Sequence, residues 1–149
     1  MSGVRLVEAG GYTNTQEVVM ANSASIDTGD FVVIDGDGFL ARAAATEKIQ
    51  GVFVEESKSV ASNNESVGLI TGKYQPIVDE MTFELTSDQA PVATDRGAYC
   101  DIAVSGGGVI TANLAAGATG QLEVIAIDIP NTKVKVQVAE PQQLAFAQS

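Results

Sequence analysis

Gly29-Asp30-Phe31-Val32-Val33-Ile34-Asp35, the turn Gly36-Asp37-Gly38 and the return Phe39-Leu40 read as a β-hairpin. Glycine enters positive φ without steric cost, so the Asp-Gly pairs mark a tight turn between two apolar strands. Two further apolar stretches follow, Gly51-Val52-Phe53-Val54 and Val67-Gly68-Leu69-Ile70. The same order then recurs. Gly97-Ala98-Tyr99-Cys100-Asp101-Ile102 leads through Gly106-Gly107-Gly108 to Val109-Ile110, then Gly120-Gln121-Leu122-Glu123-Val124 and Val134-Lys135-Val136. The separations are 68 (Gly29 to Gly97), 69 (Gly51 to Gly120) and 67 (Val67 to Val134). This register predicts a duplicated β unit, residues 29–72 and 97–138, bridged by 73–96. Two copies are too few for a solenoid, so a single all-β domain, a small pseudo-symmetric β-barrel or β-sandwich over 26–139, is expected.

Outward from these units the grammar stays that of strands. Segments 31–35, 39–43, 51–55, 67–71, 75–78, 81–85, 98–102, 109–112, 122–128 and 133–138 read as short strands. Val134-Lys135-Val136-Gln137-Val138 alternates with the period of two that one buried face requires. One or two helical turns are expected only at 41–48, where Ala, Glu and Lys favour them. Residues 1–25 read as an N-terminal arm, with Val18-Val19-Met20 its short apolar group. Residues 140–149 read as a C-terminal arm holding Leu144 and Phe146.

The chain has 149 residues, 8 Lys+Arg and 19 Asp+Glu, hence a net charge of −11. Such a surface repels a phosphate backbone, so no nucleic-acid partner is expected. No run reaches the roughly 18 apolar residues of a membrane span, so no membrane partner is expected. The N-terminus lacks an apolar signal core, which points to synthesis in the cytoplasm.

Catalytic apparatus is hard to assemble from these residues. There is no histidine, and the one cysteine, Cys100, sits in an apolar strand as a small buried hydrophobe. The expectation is a non-enzyme without cofactor. Asp27, Asp30, Asp35 and Asp37 offer calcium-type oxygens, but the twelfth position counted from Asp35 is Thr46 rather than a closing Glu, so a solvated turn is preferred. Asn64-Glu65-Ser66 is read as a chance glycosylation match.

The series Gly29-Asp30-Phe31-Val32-Val33 to Asp37-Gly38, then Ile49-Gln50-Gly51-Val52-Phe53-Val54-Glu55, then Gly97-Ala98-Tyr99, resembles the capsid decoration (cement) proteins of tailed bacteriophages. The likeness spans roughly residues 26–138. It implies a β-tulip-like barrel forming a homo-oligomer, a trimer in preference to a dimer. It would lie on the capsid exterior, at joints between subunits of the major capsid protein. The chain would be made in the host cytoplasm and act mechanically. Val4, Leu6, Val18 and Val19 in one arm, and Leu144 and Phe146 in the other, are the expected partner contacts. Alternatives are another virion part (a head-fibre base, tail-tube or adaptor protein) or a carbohydrate- or calcium-binding module.

Overall fold

A computed structural model describes residues 4–45, 47–77, 81–104, 108–115 and 120–139, except 9–14; for residues 5–8 it describes the backbone alone. The fold is all-β, with antiparallel sheets that curl into barrel-like walls. In chain order the strands are β1 (Val4–Glu8), β2 (Gln16–Val19), β3 (Ser25–Ile26), β4 (Phe31–Ile34), β5 (Leu40–Arg42), β6 (Gly51–Phe53), β7 (Lys58–Ser59) and β8 (Thr71–Pro76). Then come β9 (Thr82–Thr86), β10 (Tyr99–Val104), β11 (Ile110–Asn113), β12 (Leu122–Asp128) and β13 (Lys133–Val138). A single helical turn, α1 (Asn64–Val67), precedes β8, and a 3-10 turn (Ala93–Asp95) precedes β10.

The two large sheets share one strand order, over a unit longer than the sequence spacing suggests. One sheet runs β2-β8-β6-β4-β5 and the other β9-β13-β12-β10-β11, with β1 added at its β9 edge. Each unit, or lobe, therefore has five strands in one order. β2 and β9 are counterparts, so β9 opens the second lobe instead of bridging the copies, and β2 belongs to the first.

Individual hydrogen bonds repeat as well. Gly29 donates to the Phe53 carbonyl at 2.8 Å, and Gly97 to that of Val124 at 2.7 Å. Both glycines hold positive φ, 87° and 85°, a conformation that disfavours side chains. Met20 donates to Ile70 as Ser87 does to Thr132, each at 3.0 Å. The next residues, Ala21 and Asp88, donate to Leu40 and Ala112 at 2.8 and 2.9 Å. These last bonds, with the parallel bridges Met20–Leu40 and Ser87–Ala112, bring the outer strands of each curled sheet together at one end.

The pairing registers correct the sequence alignment. Phe31 and Tyr99 hold equivalent positions, 68 apart as expected, but Gly51 matches Leu122 and Thr71 matches Lys133. Val67 ends α1, and Leu69-Ile70 lie outside any strand; the expected strand 67–71 begins only at Thr71. The expected helical turns over 41–48 are absent among the described residues, because β5 continues through Arg42.

Two apolar clusters explain how the lobes join. Met20, Ile26, Val32, Leu40 and Phe53 fill the first lobe. Phe31, Val33, Ile49 and Val52 point out of that lobe and join the core of the second, with Phe83, Leu85, Ile102, Leu122, Val124, Val134 and Val136. Strand β4 is thus buried on both faces, which is why Phe31-Val32-Val33 is continuously apolar. Phe31 meets Phe83 edge-on, with ring centroids 4.9 Å apart at 81°; such a pair adds about 0.5–1.5 kcal/mol to area burial.

The counterparts of Phe31, Val33 and Val52 in the second lobe are Tyr99, Asp101 and Glu123. Tyr99 is 49% exposed. The apolar docking face is present in the first lobe and replaced in the second, so this head-to-tail packing occurs once and does not propagate.

Candidate interaction surface

The expected N-terminal contacts lie on paired strands. Val4 is buried in the core, Leu6 lies on β1 opposite Phe83, and β1 is an edge strand of the chain's own sheet. Val18 and Val19 are half-buried on β2, with Val18 packed on the first-lobe cluster. Over residues 4–8 and 16–19 the expected arm is sheet. Leu144 and Phe146 lie outside the described residues.

The acidic residues near the first hairpin do not converge. Asp35 Oδ1 accepts the N–H groups of Asp37 and Phe39, both at 3.0 Å, so this carboxylate serves its own turn. Asp30 is fully buried, and its Oδ2 accepts Arg42 Nε and the Asp27 N–H, each at 2.8 Å. Arg42 reaches the second lobe: a Cβ on Gly108 would lie 2.8 Å from its Nη1. Asp27 and Asp30 therefore help to fasten the lobes, and no group of three or more ligating side chains occurs among the described residues.

Other polar residues are also committed to structure. Asn64 is buried; its Nδ2 donates to the Met20 and Ile70 carbonyls at 2.7 and 3.0 Å, and its Oδ1 accepts the Ile70 N–H at 3.1 Å. That amide pins α1 to the residues just after β2 and just before β8 and is not presented for glycosylation. Cys100 is buried as expected. Burial, with the carboxylates of Asp101, Asp88 and Asp95, pushes its thiol up to about 12, which disfavours the thiolate a nucleophile requires.

Two exposed features remain. The connection between β6 and β8 displays Val54, Val67, Leu69 and Ile70, of which Leu69 is 73% exposed. Sequence reasoning missed this surface because Val67-Gly68-Leu69-Ile70 reads as a strand. On the second lobe, a groove of about 610 Å³ opens between the 3-10 turn and the outer end of the β12–β13 hairpin. Ala93, Arg96, Ile127, Ile129, Lys133 and Lys135 line it, together with Glu84 and Asp128. Three of the chain's eight basic residues gather there, a concentration no periodicity in the sequence signals.

Comparison with known proteins finds no family model and no curated protein that matches this chain.

Proposed function

We propose that this chain is a structural virion protein that binds the outer surface of a tailed-phage capsid as a homo-oligomer and stabilises joints between major capsid subunits. The observation that carries this reading is the exposed apolar connection of the first lobe, Val54, Val67, Leu69 and Ile70, on an otherwise acidic protein. Apolar side chains displayed together on one connection favour burial against a partner. The duplicated scaffold supports the reading, since lobes locked through a shared core suit a mechanical clamp. So does the resemblance of the Gly29–Val33 and Ile49–Glu55 series to decoration proteins. With β1 and β2 held in the chain's own sheets, the grip shifts from the N-terminal segment to this connection.

Particles assembled with and without the protein test the proposal. Those carrying it should keep their DNA to a higher temperature, and Leu69→Asp should abolish attachment while leaving the fold intact. Equal heat resistance with and without the protein would refute it. A position on the tail would favour the other virion roles.

A further inference from the structure

We infer that the groove beside β12 and β13 is the counterpart of the seat that β7 fills in the first lobe, and that it takes an extended acidic segment of a different polypeptide. The inference follows from the internal comparison and does not depend on the capsid proposal.

In the first lobe, residues 54–70 leave β6 and pass beside residues 23–26 before β8 begins. Within them β7 pairs with β3, Ser59 opposite Ser25 and Lys58 opposite Ile26. The Ser25 and Ser59 hydroxyls lie 3.0 Å apart. Lys58 Nζ donates to Glu55 Oε1 at 3.0 Å and to the Thr71 carbonyl at 2.7 Å. The seat of β7 is therefore built from Ser25, Glu55 and Thr71.

The registers carry these positions across to the second lobe. Lys133 and Lys135 are the counterparts of Thr71 and Lys73, Ile127 of Glu55, and Glu84 of Glu17. Counting back from the matched Gly29 and Gly97, Arg96 corresponds to Thr28 and Ala93 to Ser25. Even a side-chain contact is kept: Thr71 Oγ1 meets Glu17 Oε2 at 2.6 Å, and Lys133 Nζ meets Glu84 Oε1 at 3.7 Å. Ala93, Arg96, Ile127, Lys133 and Lys135 all line the groove. Among the described residues the second lobe has no counterpart of 54–70, because β12 returns to β13 through a turn at 129–132.

The charge of the seat is more positive in the second lobe. Arg96 and Lys133 stand where the first lobe has Thr28 and Thr71, Ile127 stands in place of Glu55, and Lys135 keeps the charge of Lys73. Among the described residues neither Arg96 nor Lys135 has an ion-pair partner, whereas Asp128 is engaged by Asn131 in the hairpin turn. An incoming carboxylate between Arg96 and Lys135, with an apolar neighbour on Ile127 and the half-exposed Ile129, satisfies both chemistries. Three basic side chains gathered in one groove of a chain whose net charge is −11 favour, by charge complementarity, a local acidic segment of another protein.

The test uses the full chain and two labelled peptides. One is Val-Glu-Glu-Ser-Glu-Ser-Val, the 54–60 sequence carrying Lys58→Glu; the other is Val-Lys-Lys-Ser-Lys-Ser-Val. The acidic peptide should bind saturably, shift the amide resonances of Ile127, Ile129 and Lys133, and weaken with salt. Arg96→Glu and Lys135→Glu, both at exposed positions, should each weaken it at least about tenfold. Absence of saturable binding, shifts confined to the first lobe, equal binding of the basic peptide, or indifference to both substitutions would each overturn the inference.

Discussion

Gln50 and Gln121 do the same work in the two lobes: the side-chain oxygen of each accepts the backbone N–H of an isoleucine, Ile34 or Ile102, in the first strand of its hairpin. The backbone carbonyls of the two glutamines also match, accepting Ile77 at 3.1 Å and Ala139 at 3.0 Å. Gln121 does more. It is fully buried, and its Nε2 donates to the carbonyls of Ala44 and Glu47, so one amide ties the hairpin of the second lobe to a loop of the first.

Removing that amide leaves the buried Ile102 N–H without its acceptor and the Ala44 and Glu47 carbonyls of the first lobe without their donor. Gln121→Ala should cost about 1–3 kcal/mol, and Gln50→Ala less, since the side chain of Gln50 serves its own lobe. Urea unfolding of the two variants compares them directly; equal costs would contradict the role of Gln121 as a tie between lobes.

Gly72 lies where the second lobe has Val134. A Cβ on Gly72 would lie 2.8 Å from both Leu40 Cδ2 and Phe53 Cε1. Their counterparts in the second lobe are the smaller Ala112 and Val124. Gly72→Val should therefore destabilise by about 1–3 kcal/mol through overpacking. Adding Leu40→Ala imitates the second lobe and should cost less than the sum of the two single changes. Thermal melts of both singles and the double variant check this; strict additivity would count against the volume exchange.

Much of the architecture was legible in the sequence. The last hairpin, 122–128 and 133–138, was read with its observed bounds because its strands alternate or run apolar between clear turn signals. The register between copies was not, since Gly51 and Gly120 look alike but Gly120 precedes the glutamine and Gly51 follows it. A Cβ on Gly51 would run into the Tyr74 ring and lie 2.6 Å from the Gln75 carbonyl, a close approach that sequence spacing does not report. The glutamine hydrogen bonds that define the true register carry no periodic signal. Strands β3 and β7, two residues each, are too short to show a pattern, so the β7 seat and its counterpart were invisible.

Cys100 should resist modification in the native protein. Its thiol has an ordinary value of 9.0 and is pushed up to about 12, so almost no thiolate forms at pH 8. Alkylation by iodoacetamide should proceed only as the fold opens, at a rate that follows added urea. Rapid labelling without denaturant would contradict its burial.

Glu55 gives the acid limb of stability a testable component. Burial pushes its carboxyl up, but hydrogen bonds from Lys58 Nζ at 3.0 Å and the Lys73 N–H at 2.7 Å outweigh this and hold it below its ordinary 4.5. A depressed folded value means the contribution is present above pH 4.5 and is lost as pH falls below it. Glu55→Gln should therefore lose less stability than the parent between about pH 5 and pH 3. Parallel acid titrations followed by circular dichroism would show it, and identical slopes would remove Glu55 from the account.

Cryo-electron microscopy of intact virions tests the central functional claim most directly. The account predicts density for a two-lobed β protein on the outer capsid face, over joints between major capsid subunits, with the 54–70 connection buried in the contact. Density on the tail alone, on the inner face, or nowhere on the particle would contradict it.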